Sequence, residues 1–247
     1  MTGAVSPADI PALALAASGA FVLVAIVRRS LARRPLLHAV DRPFRPAPPT
    51  MLLAVAAGLF LVTQSAQVAG MRIGGVPGAA VRIAIPLAAS ALAALLARRA
   101  VLLPRGSVAW RAGIGLLFLW AALPLLYGSY FLCRLFGPEQ PQVEEIRARA
   151  DGWQGLALAA VLVAPVAEEI CFRALLYPAL RQRFRAIPAL LLASAAFALV
   201  HPPTVWLPMA IFGSVLAWLV ETTGSAIPGI AAHMALNGIT VATLLLF

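Results

Sequence analysis

The segment Ala164-Pro165-Val166-Ala167-Glu168-Glu169-Ile170-Cys171-Phe172-Arg173 places two carboxylates and a guanidinium inside an apolar run from about Gly155 to Leu180. A run of that length can cross a bilayer. A charge at the bilayer centre costs ~3 to ~17 kcal/mol, depending on the reference state. Such groups persist where they pair, face a wet cavity or do chemistry. On a helix, Glu169 and Arg173 are four residues apart and share a face, so they can pair. Glu168 is turned ~100° from Glu169 at 3.6 residues per turn, which leaves it for another role. Two further polar pairs follow in apolar runs: Phe197-x-x-x-His201, and His233-x-x-x-Asn237, whose polar members share a helical face.

The chemistry available to this set is peptide hydrolysis. A carboxylate with a histidine can hold and deprotonate a water. A His and an Asn one turn apart can donate hydrogen bonds to the oxyanion formed on an attacked carbonyl. Alternatively, Glu168, His201 and His233 can ligate Zn²⁺ and leave a position open for water. No His-Glu-x-x-His motif is present, and residue types alone do not choose between the two. The competing bland reading is an ion-pair network that locks helices together, with histidines satisfied in the core. Two histidines, an asparagine and a glutamate pair on separate apolar runs weigh against it.

Composition sets the class. The 247 residues are 62% hydrophobic and 11% charged, with a mean hydropathy of +0.93. That is an all-α polytopic membrane protein rather than a soluble domain. The net charge of +10 comes entirely from arginine, since the chain has no lysine. The arginines cluster beside apolar runs, so the positive-inside rule accounts for them and nucleic-acid binding is not implied. Cys133 and Cys171 lie in or beside apolar runs, without metal-clip spacing, and no disulfide is expected.

Eight apolar runs are expected as helices, at about 10–27, 51–70, 79–97, 112–132, 155–180, 187–200, 205–220 and 225–247. Positive charge follows the first run at Arg28, Arg29, Arg33 and Arg34, opposite to a signal peptide, so a retained helix with an external N-terminus is expected. Thirteen of the nineteen arginines fall in three loops read as cytoplasmic, including Arg98, Arg99, Arg105 and Arg111, and Arg181, Arg183 and Arg185. Five lie in segments read as external, among them Arg72 and Arg82. The loop near Glu221 carries no positive charge, so the last two helices are oriented by counting alone. His38 reads as a solvated or headgroup-level residue. Three segments result: 1–135 with helices 1–4 and no motif, 136–154 as a polar external connection, either a surface helix or a loop, and 155–247 with every motif. Kinks are expected at Pro165, Pro208 and Pro228. Counting at ~1.5 Å per residue puts Glu168 ~20 Å from Arg181, His201 ~21 Å from Ile187 and His233 ~12 Å from Ser225. The two histidines then differ in depth by several Å.

The ordered set Glu168-Glu169-x-x-x-Arg173, Phe197-x-x-x-His201 and His233-x-x-x-Asn237 resembles the CAAX prenyl protease and bacteriocin-processing (Abi-type) family of intramembrane endopeptidases. The resemblance covers about Gly155 to Phe247. Ala174 departs from the Gly common after the Arg in that family. The resemblance implies eight helices around a catalytic cavity in the membrane, open to the cytoplasmic side. It implies Glu168 as water-activating base with His201 as partner, His233 and Asn237 as the oxyanion site, and Glu169 with Arg173 as the supporting pair. A mechanism needing no cofactor is favoured over a zinc site at Glu168, His201 and His233. The expected partners are a peptide or protein substrate at the membrane and the lipid bilayer. The expected location is the cytoplasmic (inner) membrane of a bacterium. The rival readings are a transporter with a Glu/His proton relay and a non-catalytic membrane immunity or scaffold protein.

Overall fold

The computed structural model describes residues 10–32, 48–97, 107–134, 146, 148 and 152–246. Among them all regular structure is helical. The helices are α1 (Ile10–Leu31), α2 (Pro49–Ile73), α3 (Gly75–Ala97), α4 (Val108–Arg134) and α5, the continuous stretch Trp153–Arg181. They continue as α6 (Ala186–Leu199), a short 3₁₀ turn at Pro203–Val205, α7 (Trp206–Thr223) and α8 (Ile227–Leu246). The expected all-α polytopic membrane class is what the chain adopts. Seven of these helices are long and apolar enough to cross a membrane, while α6, at 14 residues, is shorter. His38, Arg98, Arg99, Arg105 and most of the 136–151 connection lie outside the described residues. Of that connection, Ile146 is buried against Leu156 and Ala157 at the start of α5, beside Val241 and Leu244 near the end of α8.

α5 is the central element. α3 and α8 pack along its first half and middle, α2, α6 and α7 along its second half, and α4 backs α7 and α8 while holding α1 on its other side. Between helices in lipid the hydrophobic effect contributes little, and close van der Waals packing takes over. Small residues allow it: an added Cβ at Gly19 would strike the Trp120 carbonyl, and one at Gly115 the Pro228 carbonyl. Outward faces remain apolar, as at Phe21, Leu61, Leu92 and Ile187. A bilayer would cover such side chains; in water they would be an aggregation hazard.

The ends of α4, α5 and α7 are tied together. Arg181 forms a two-pronged pair with Glu221, Nε to Oε2 and Nη2 to Oε1, both at 2.9 Å. Tyr177 donates its hydroxyl to Glu221 Oε2 at 2.9 Å, and Arg111 Nη1 donates to the Thr223 carbonyl at 2.7 Å. The positive charge missing from the Glu221 loop is therefore supplied by Arg111 and Arg181, both from segments read as cytoplasmic. This places the end of α7 with those segments on independent grounds.

Three details differ from the sequence reading. Pro208 and Pro228 fall in the first turns of α7 and α8, where the missing N–H has no helical partner to lose, so neither kinks its helix. Pro86 and Pro124 instead lie inside α3 and α4. Arg82, counted among external arginines, sits about two turns into α3 and is buried close to Gly70.

The shared end gives a topological prediction. In a background lacking Cys133, Val108→Cys and Arg183→Cys should react with an impermeant thiol reagent from the same face of the membrane. Pro203→Cys should react only from the other face. Labelling of Val108→Cys and Arg183→Cys from opposite faces would contradict the arrangement.

Candidate functional site

Two stretches of α5, Ala159–Val163 and Ile170–Leu176, are wound more loosely than an α-helix. Ala164 N–H donates to the Ala159 carbonyl and Tyr177 N–H to the Phe172 carbonyl, each five residues back. A proline follows immediately in both cases, Pro165 and Pro178. Proline has no N–H and its ring crowds the preceding turn, so the helix relaxes into a wide turn where each one enters. The ordinary α-helical turn between the two wide segments, Ala164–Glu169, carries both glutamates.

Glu169 and Arg173 are essentially fully buried and pair at 3.3 Å (Oε1 to Nη1), as their spacing requires. The guanidinium lies over the Phe197 ring, 4.2 Å from Cζ to the centroid, and Nη2 donates to the Gly213 carbonyl at 3.3 Å. One cation thereby engages α5, α6 and α7. His233 on α8 completes the cluster, with Nδ1 3.2 Å from Glu169 Oε1. The acceptor is a carboxylate, so Nδ1 carries the proton and donates. Gly229, one turn earlier on α8, makes this approach possible: a Cβ there would come within 2.5 Å of Glu169 Oε2.

Glu168 stands apart. Its side chain keeps 28% of its surface exposed, and its Oε2 lies 3.8 Å from His233 Nε2, beyond a direct hydrogen bond. Glu168 Oε2 and Glu169 Oε2 are buried atoms with no hydrogen-bond partner among the described residues. His201 lies just past α6, with Nδ1 2.7 Å from the Phe197 carbonyl. A carbonyl only accepts, so Nδ1–H donates and Nε2 keeps its lone pair in the neutral ring. Its ring stacks obliquely on Phe197 at 4.8 Å, and His233 meets the same phenyl ring edge-on at 5.8 Å. Both histidines thus pack against the one phenyl ring. Gly224, in the left-handed region at φ 62°, caps α7, and Ser225 and Ala226, which lead into α8, are fully buried.

Asn237 lies one turn beyond His233 and donates Nδ2–H to the Ala160 carbonyl at 2.8 Å. The structure thus gathers Glu168, Glu169, Arg173 and His233 directly, and attaches His201 through Phe197. Asn237 is bonded to the wide turn that precedes the glutamates. Among the described residues His201 pairs with neither glutamate, and no three His, Cys, Asp or Glu side chains converge closely enough to hold a metal ion. The set Glu168, His201 and His233 therefore does not fit a zinc site as it stands. Cys133 and Cys171 are both free thiols, and Cys171 donates to the Ala56 carbonyl of α2 at 3.4 Å. Sequence reasoning missed Gly213, Gly229 and Phe212, the last packed edge-on against His233 at 5.3 Å. The signal available for Gly229 was its position four residues before His233.

Residues 152–239 match the family model described as Rce1-like, type II CAAX prenyl endopeptidase. The match contains every residue of the motif set. No curated protein and no solved structure matches the chain.

The two glutamates should separate by stability. Arg173→Ala strips a buried carboxylate of its counter-charge, a change that typically costs ~3–5 kcal/mol, and should lower the Tm in detergent by about 10 °C. Glu168→Gln alters a part-exposed group whose nearest charged neighbour, His233, stands 3.8 Å away, and should leave the Tm within about 2 °C of wild type. The opposite pattern would show that the structural and free carboxylates have been exchanged.

Proposed function

Because residues 152–239 form an Rce1-like domain, we propose that the chain is an intramembrane endopeptidase in which Glu168 activates the water that attacks a peptide carbonyl. The observation that carries this reading is the contrast between neighbours. Glu169 is fully buried and engages Arg173 and His233 through Oε1, whereas Glu168 keeps 28% of its side-chain surface exposed and lies 3.8 Å from His233, beyond a direct hydrogen bond.

In the proposed reaction a water donates to Glu168, and the lone pair on His201 Nε2 serves as a second acceptor that orients it. As the water oxygen bonds to the carbonyl carbon, its proton passes to Glu168. The carbonyl oxygen becomes an oxyanion facing His233 and Asn237. Asn237 has two N–H hydrogens and spends one on Ala160, so one remains for the oxyanion. His233 donates from Nε2 while its Nδ1–H stays on Glu169 only if both nitrogens are protonated, with the Glu169 carboxylate as counter-charge. Collapse of the tetrahedral intermediate breaks the C–N bond, and the proton held by Glu168 goes to the leaving amine. No metal takes part in this scheme. Support for that is the donor set: Asn237, the last member of the motif set, is of a type that ligates zinc poorly, and among the described residues no three His, Cys, Asp or Glu side chains converge.

The substrate class is a peptide or protein segment presented at the membrane. The arginine- and alanine-rich, lysine-free composition supports a bacterial cytoplasmic membrane as the location. Prenylated tails are one candidate substrate and unprenylated segments another.

Mass-spectrometric comparison of membrane-protein C-termini, in cells with wild-type or Glu168→Gln protein, should reveal new termini that only the wild type produces. Identical profiles would overturn the proposal and favour a non-catalytic membrane protein. Cleavage should survive chelator treatment and fall ~10²- to 10³-fold in Asn237→Ala, the usual effect of deleting one oxyanion donor. Stoichiometric zinc with zinc-dependent recovery after chelation would replace this mechanism by a metal-assisted one.

A further inference from the structure

The wide turn at Ala159–Val163 leaves a specific gap. Ala164 N–H bonds to the Ala159 carbonyl, five residues back. The next bond of that ladder would run from residue 165 to the Ala160 carbonyl, but residue 165 is proline and has no N–H to give. A bare carbonyl at membrane depth is costly. It is satisfied from another helix, by Asn237 Nδ2 at 2.8 Å. That bond also acts on Asn237. An amide side chain can present either its oxygen or its NH₂ to a neighbour, and a carbonyl accepts only the NH₂. The Ala160 carbonyl therefore fixes which end of the amide is which, and fixes its second N–H relative to Glu168, two turns further along the same helix.

We infer that Pro165 and the Ala160 carbonyl it leaves open are positioning elements for the Asn237 amide. Pro165 does so by withholding an N–H. Residue 165 touches no substrate; it acts through Ala160 and Asn237. The inference takes its catalytic meaning from the endopeptidase reading above, but its geometry can be tested without any cleavage.

Asn237 is the only asparagine in the chain. Full-length protein in detergent micelles, labelled with ¹⁵N at the asparagine side chain, therefore gives one pair of NH₂ signals. In wild type the two protons should be well separated in shift, with the bonded one slow to exchange with water. Pro165→Ala restores an N–H that can close on the Ala160 carbonyl. The pair should then collapse toward the shifts of a free amide, while the Tm is unchanged or higher. Asn237→Asp keeps the shape but removes both donors. It should lower the Tm by roughly 3 to 10 °C, as expected for an orphaned buried acceptor, and Pro165→Ala should abolish that loss in the double variant. In cells, Pro165→Ala should cut production of the new C-termini by ~10²-fold, the scale of a catalytic group misplaced by about 1 Å. A free-amide signal in wild type overturns the inference, even if no variant folds. So do additive Tm effects of the two substitutions, and so does undiminished cleavage once the amide is released. Absence of cleavage by wild type would instead overturn the endopeptidase reading, with the NMR and Tm results still deciding the geometry.

Discussion

A guanidinium with almost no surface exposure, at the centre of a helix bundle built for lipid, is the constraint around which the lower half of this protein is arranged. Arg173 is buried from solvent, so its charge is met by protein, while its Nε makes no hydrogen bond among the described residues. Glu169 supplies the counter-charge from the same helix, Phe197 a π face from α6, and the Gly213 carbonyl an acceptor from α7. His233 then reaches the cluster through Glu169 from α8. Moving any of these four helices would strand a charge, which makes their relative placement far stiffer than apolar contact alone would give. The same cluster holds the Glu168 backbone in place and approaches its side chain through His233, whose Nε2 lies 3.8 Å from Glu168 Oε2.

Much of this was legible in the sequence, and the boundary of legibility follows distance along the chain. The eight helices could be read from hydropathy because each is a local run. The Glu169–Arg173 pair could be read because four residues is one helical turn. The partition of Glu168 from Glu169 followed from the angle between adjacent residues. Contacts between elements were of another kind. That His233 would meet Glu169, and that both histidines would pack on Phe197, depends on how α5, α6 and α8 sit against one another, which no count of residues along a single helix contains.

Two missed features had visible signals. Glu221 is the only acidic residue after Glu169, and an isolated acid at the end of an apolar run needs a cation. Arg181, at the end of the preceding inward helix, was available. The loosened turns of α5 were announced by Pro165 and Pro178, each following a run that otherwise reads as unbroken helix. Their effect was hidden because a proline can kink a helix, widen it or simply occupy its first turn. Pro208 and Pro228 show the last outcome. Only the backbone distinguishes the cases.

α6 has a consequence beyond the protein itself. At 14 residues it is about 21 Å long at ~1.5 Å per residue, against a hydrocarbon core of ~30 Å. Its outward face, with Ile187, Leu191 and Leu199 exposed, is left to lipid. Acyl chains on that flank must shorten or splay to match it, which costs elastic energy for each Å of mismatch. A bilayer around the protein would be drawn thinner beside α6, which ends at Leu199, two residues before His201. On the proposed function, the local thickness of the membrane would help set the distance that water and a polar peptide backbone travel to Glu168, and lipid chain length would become a control variable for access to the site.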